Sequence, residues 1–287
     1  MKLVNYYVEG EITLGIVGEK GIIDVKKTAN RQNKLVPLSM GEVISSGAQG
    51  IKQLKSLLDE ESSFIFEENI QFAPCVDKPE KIICVGLNYV NHAKESNMEI
   101  PDFPILFSKF NNALAAHRQV IAIPETAKQI DYEAEMVMVV GKEARNVTQE
   151  EALSCVFGYT VGNDVSARDF QFRTGQWLLG KTCDDFAPIG PYVVTADEID
   201  PTNLRIECKI NGQIKQSANT ADMIFDCATL VSYISQHMTL KPGDLIFTGT
   251  PDGVILGEQE NNRHWLKSGD VMEVTIEQIG TLKNELK

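Results

Sequence analysis

Three apolar-rich runs open the chain, Val4 to Val8, Ile12 to Val17 and Ile22 to Val25, with turn chemistry between them at Glu9-Gly10 and Gly18-Glu19-Lys20-Gly21. This pattern predicts a small β-meander. Ser39 with Glu42 three residues on forms a capping-box pattern, and Val43, Ile51, Leu54, Leu57 and Leu58 follow at roughly helical spacing, which predicts a helix over 40–59. A polar stretch and then Phe72-Ala73-Pro74 and Lys78-Pro79-Glu80 precede the apolar segment Ile82 to Val85. The domain boundary is therefore placed near residue 70, with 1–70 a small amino-terminal α+β domain and 71–287 the larger one.

In the larger part both periods occur. Thr148 and Glu151 cap a short helix, and Met223, Ile224, Cys227, Leu230, Val231 and Ile234 stripe a longer one. Leu204, Ile206, Cys208 and Ile210 alternate with polar residues up to Asn211-Gly212, the commonest two-residue hairpin turn, and Met272, Val274 and Ile276 alternate likewise. Strands outnumber helices and βαβ alternation is absent, so the pattern predicts a β-rich α+β fold rather than a doubly wound parallel sheet.

Charge narrows the function. Against 27 Lys and Arg stand 40 Asp and Glu, a net charge of −13, with no basic cluster, so neither nucleic acid nor an anionic membrane is an expected partner. Met136 to Val140 is the longest aliphatic run, far short of the ~18–20 residues of a membrane span, and the amino terminus has no secretory h-region. Six cysteines without a Cys-x-x-Cys pair read as reduced core thiols in the cytoplasm.

Asp131-Tyr132-Glu133-Ala134-Glu135 leads into the all-apolar run Met136 to Val140. On a strand, Glu133 and Glu135 share a face at the edge of a buried segment, where carboxylates are costly unless paired or bound to metal. Oxygen-only ligands suit Mg²⁺, Mn²⁺ or Ca²⁺ rather than zinc. Spacing alone fits a solvated strand end better, and Asp164 alone fits a turn or cap, unless the three carboxylates converge. His92 has Glu95 at i+3, a pair that could activate water or equally lie on a polar helix surface. Residues 88–100, including Lys94, Glu95 and Asn97, read as a polar lid over such a base. Gly175 to Thr182 satisfies the Walker A pattern, but no buried strand precedes it, Pro188 and Pro191 break any helix after it and its interior is bulky, so a phosphate loop is rejected.

Taken together, Lys81-Ile82-Ile83-Cys84-Val85-Gly86-Leu87-Asn88-Tyr89 with His92 and Glu95, Asp131 to Glu135, Gly162-Asn163-Asp164-Val165-Ser166-Ala167-Arg168-Asp169, Gly180-Lys181-Thr182 and Gly249-Thr250-Pro251-Asp252-Gly253-Val254 resemble the fumarylacetoacetate hydrolase family over about residues 75 to 280. The resemblance implies a mixed β-roll or distorted β-barrel domain that forms a homodimer. It also implies a divalent ion, Mg²⁺ or Mn²⁺, held by Glu133, Glu135 and Asp164, and a His92–Glu95 dyad on a lid. Lys181 falls at the family's metal-proximal lysine, and Tyr89, Gln171 and Thr250 at substrate-contacting positions. Departures at Lys109 to Leu114 and at Asp185 bear on substrate size.

From these parts the expected function is metal-dependent cleavage of a C–C bond in a small 2-oxo acid, by acylpyruvate-type hydrolysis or oxaloacetate-type decarboxylation through a stabilised enolate. If no bond breaks, the same enolate allows keto–enol or double-bond isomerisation, as in a 2-hydroxy-dienedioate isomerase. A metal-binding regulatory protein with vestigial catalytic parts is the reading outside enzymes.

Overall fold

The computed structural model describes residues 1–58, 64–95 and 98–287. The meander forms as predicted, with β1 Lys2–Val8, β2 Glu11–Gly18 and β3 Gly21–Asp24. Helix α1, Val25–Gln32, was not anticipated; Val25 and Ala29 are its only apolar side chains, so no stripe announces it, and it starts where the Asp24 carboxylate accepts the Lys27 N–H at 2.8 Å. Helix α2 spans Met40–Lys55 from its Ser39 cap, interrupted at Gly47, which has φ 51°. The predicted end at residue 59 lies outside the described residues.

The larger part contributes β4 Ile82–Gly86, β5 Ile105–Lys109, β6 Ala134–Val140, β7 Val156–Asn163, β8 Tyr192–Thr195, β9 Arg205–Ile210, β10 Gln213–Asn219, β11 Leu245–Phe247, β12 Val271–Ile276 and β13 Gly280–Leu286. Its helices are α3 Val90–Glu95, α4 Gln149–Ala152, α5 Arg168–Gln171, α6 Leu178–Lys181 and α7 Cys227–His237. The capping box at α4 is present in both directions. Helix α7 starts four residues later than the stripe from Met223 suggests, because the Asp226 side chain accepts the Thr229 N–H and fixes the first turn there. Asn211 and Gly212, both at positive φ, make the β9–β10 turn.

The main sheet runs β3-β2-β1-β8-β7-β6-β11-β4-β5, so the amino-terminal strands continue it through the β1–β8 pairing. The second sheet runs β10-β9-β12-β13 and ends on the short strand Val120–Ile121. Both are open sheets, and the architecture is strand-rich α+β. Between them Met136, Met138, Val161, Ile206, Met272 and Val274 form one core, while the other side of β6, with Val137 and Val139, packs toward Leu3, Ile16 and Val43. Every residue of β6 and β7 is buried. Such a strand pair cannot shift register without exposing its core, so it is a rigid mount for side chains at its ends.

Candidate active site

At the end where β6 begins and β7 finishes, Ala134 pairs with Asn163 and Glu135 with Gly162. The Asp164 N–H donates to the Glu133 carbonyl at 2.9 Å, which locks the two carboxylate-bearing turns together. Oxygens of Glu133, Glu135 and Asp164 accordingly lie within 4.8 Å of one another, all three residues being buried. The convergence that spacing alone left open is present.

Around this trio the charges are paired unevenly. Lys181 Nζ lies 2.5 Å from Glu133 Oε2 and 2.9 Å from Asp164 Oδ2. Arg168 reaches Glu133 Oε1 at 2.7 Å through Nη2 and Asp131 Oδ2 at 2.9 Å through Nε, and its Nη1 donates to Gln171 Oε1 at 2.9 Å. Asp131 also accepts the Ile255 and Leu256 N–H groups. Lys109 Nζ sits 2.5 Å from Asp164 Oδ1 and also donates to the Val165 and Phe186 carbonyls. Glu135 receives only the Gly249 N–H, at 2.7 Å, and no ammonium or guanidinium lies within ion-pair distance of it among the described residues.

Burial raises the Glu133 carboxyl, but the charges of Lys181, Arg168 and His92 outweigh it and hold the group well below the usual range. Glu135 goes the other way, pushed well up by burial and then by the charges of Asp164 and Glu133. A cation is what this donor set lacks. Three hard oxygen donors, one of them without a cationic partner, suit a divalent ion such as Mg²⁺ or Mn²⁺.

Glu133 and Glu135 of the trio open on a cavity of about 320 Å³ lined also by His92, Gln171, Lys181 and Thr250, with Phe107, Trp177 and Leu256 as apolar walls. Helix α3 is docked over it: His92 is buried, its Nδ1 lies 2.7 Å from Glu95 Oε1, and Glu95 Oε2 accepts the Gly253 N–H at 2.9 Å. Of the lid residues, Asn97 lies outside the described residues. Thr250 Oγ1 accepts from Gln216 Nε2 at 2.8 Å, which leaves its hydroxyl proton for a ligand.

Tyr89 is not brought to this cavity. Asn88 is clamped by hydrogen bonds to Phe225 and Thr248, and Tyr89 bridges to Met223, its buried hydroxyl without a hydrogen-bond partner among the described residues. Asp185 does not line the cavity either and accepts from Gln119 Nε2. Lys181 closes α6, where its ammonium serves carboxylates of this chain rather than a phosphate. Sequence reasoning missed Asp131, Lys109, Arg168 and Arg263. Arg168 stands four residues after Asp164, in a segment singled out for its carboxylate alone; nothing in the period of β5 marks Lys109 as buried.

Residues 81–287 match the family described as Fumarylacetoacetate (FAA) hydrolase C-terminal. The chain belongs to the fumarylacetoacetate hydrolase family. It is 44% identical over its whole length, and over 97% of the relative, to the Fumarylacetoacetate hydrolase domain-containing protein 2 homolog of Dictyostelium discoideum. It is 42% identical, over 89% of this chain and 80% of the relative, to the Xenopus laevis protein named Oxaloacetate tautomerase fahd2, mitochondrial. Among solved structures of the family, the fumarylacetoacetate hydrolase from Exiguobacterium antarcticum superposes with a TM-score of 0.86 at 33% identity, covering 100% of this chain and 99% of that one. The 2-hydroxyhepta-2,4-diene-1,7-dioate isomerase from Mycobacterium marinum gives 0.76 at 31%, covering 100% and 98%.

Proposed function

We propose that the chain catalyses keto–enol tautomerisation of a small 2-oxo acid of the oxaloacetate type, with Glu133, Glu135 and Asp164 holding a divalent ion. The observation that carries this reading is that His92, Glu95, Glu133 and Glu135 line one small cavity, with an Asp164 oxygen within 4.8 Å of the two glutamates behind it. When bound, the cation would supply Lewis-acid polarisation of the 2-oxo group. The Nδ1–H of His92 donates to Glu95, so Nε2 is the ring nitrogen free to take the C3 proton when the enol forms and to give one to C3 when the ketone forms, the proton on the 2-oxygen being exchanged with water. Glu95 keeps that tautomer in place. Arg168 holds the Gln171 carbonyl, so the Gln171 amide N–H groups are left to orient substrate oxygens, and Thr250 offers its hydroxyl proton beside them. The apolar walls Phe107, Trp177 and Leu256 limit water around the exchanging proton.

The similarity to an oxaloacetate tautomerase at 42% identity favours enolisation without bond cleavage over hydrolysis or decarboxylation. Cleavage of a C–C bond is the second reading, because the same dyad could activate water. Proton NMR in D₂O separates them: exchange of the C3 protons of oxaloacetate faster than pyruvate appears supports tautomerisation, and release of pyruvate in step with consumption overturns it.

Residues 1–70 act as a small domain and 71–287 as the catalytic one. Two copies pair through β5, the last strand of the main sheet, flanked by exposed Phe103, Phe110 and Leu179; a monomeric mass in light scattering would rule this out. Among the described residues no helix is long and apolar enough to cross a membrane, and the six cysteines are free, as a reducing compartment such as the cytoplasm would keep them.

A further inference from the structure

Arg263 follows the turn Glu260–Asn262 and lines the cavity together with Glu95 and Leu256. Its Nε donates to the Glu258 carbonyl at 3.0 Å. This bond fixes the guanidinium while leaving both Nη groups without a protein partner among the described residues. The other cations lining the cavity are committed: Arg168 to Asp131, Glu133 and Gln171, and Lys181 to Glu133 and Asp164. Arg263 is the lining cation that pairs with no carboxylate among the described residues.

The charge around the site says what it is for. The buried wall carries four carboxylates, Asp131, Glu133, Glu135 and Asp164, against three cationic groups, Lys109, Arg168 and Lys181, an excess of one negative charge. A divalent cation reverses that excess, and the 1-carboxylate of a 2-oxo acid then neutralises it. A second carboxylate on the same substrate would enter with no charge left to meet it and with Glu95 nearby to repel it. A guanidinium with both Nη groups free, in the fork geometry that matches a carboxylate, removes that penalty.

We propose that Arg263 reads the distal carboxylate of the substrate and makes the site selective for 2-oxo dicarboxylates over monocarboxylates of the same length. The inference rests on the reading of this cavity as a 2-oxo acid site. Arg263 is partly exposed at the end of a surface turn, so its replacement does not disturb the core.

The test is calorimetric titration of the Mg²⁺-loaded full chain with malate and with 2-hydroxybutanoate, unreactive ligands that differ only in a carboxylate or methyl group at C4. The wild type should prefer malate, and Arg263→Gln should lose ~10–100-fold of malate affinity with 2-hydroxybutanoate unchanged, the size expected for a charge-assisted hydrogen bond. Arg263→Lys should recover part of the preference. A wild type without preference, or an Arg263→Gln variant that keeps it or weakens both ligands equally, overturns the assignment. Because no turnover is read, the two proposals fail separately: if oxaloacetate is not enolised yet the preference depends on Arg263, the reaction falls and the role of Arg263 stands.

Discussion

His92 Nδ1 lies 2.7 Å from Glu95 Oε1 while neither residue touches the carboxylate trio by hydrogen bond or ion pair. The dyad is thus a separate proton-handling unit facing a separate charge-handling one. Replacing His92 by Ala should lower the rate of C3 proton exchange by ~10²–10⁴-fold, the usual contribution of a positioned base. Divalent-ion affinity should stay within about twofold of wild type, since His92 is not a proposed ligand. Parallel losses in rate and in ion affinity would show that His92 instead organises the metal centre.

Gly257 supplies the tightest check on the dyad's placement. A Cβ built there would lie 2.5 Å from the Glu95 carboxyl carbon, and Glu95 cannot retreat without losing either His92 or the Gly253 N–H. Gly257→Ala should therefore reduce kcat about tenfold or more by misplacing the orienting carboxylate, with KM and thermal stability little changed. Unaltered kcat in this variant would mean that the position of Glu95 is not used.

Lys109 is a fully buried ammonium against Asp164. Without it Asp164 would share a single ammonium, Lys181, with Glu133, so Lys109→Met should destabilise the ion-free protein in urea unfolding by up to about 3–5 kcal/mol, the cost of breaking a buried pair. Adding Asp164→Asn should return much of that loss. If the double variant is no more stable than the single one, the under-compensated Asp164 charge is not the cause.

Much of this was readable in the sequence because it rests on short-range signals. The meander, the Asn211-Gly212 hairpin and the Thr148–Glu151 cap are each written within a few residues. Glu133 and Glu135 were visible because they interrupt the entry to a continuous apolar strand. What stayed hidden depends on partners distant in the chain: Lys109 meets Asp164 across 55 positions of sequence, and Arg168 ties together Asp131, Glu133 and Gln171 only once β6 and β7 are paired. Helix α1 escaped notice because its boundary is set by one Asp24 side chain rather than by a repeating pattern.

His117 makes stability depend on pH. Burial, and then the charges of Arg118 and Lys283, lower its pKa from 6.5 to about 4. Its Nδ1 accepts the Lys283 N–H at 3.0 Å, a bond the neutral ring alone can make. Between those two values the unfolded chain binds the proton and the folded one does not, so this contribution is complete above about 6.5 and is lost progressively as pH falls toward 4. Urea midpoints at about pH 7 and about pH 5 should fall more for the wild type than for His117→Gln; equal falls would contradict this.

The most direct measurement follows the ultraviolet absorbance of enol-oxaloacetate as it converts to the keto form, with wild-type protein loaded with Mg²⁺, stripped by chelator, and reloaded. The account predicts acceleration over the same concentration of free Mg²⁺, its loss on stripping and its return on reloading, with Glu135→Gln failing to respond to the added ion. Conversion no faster than with free Mg²⁺ alone, or acceleration that survives stripping, would contradict it.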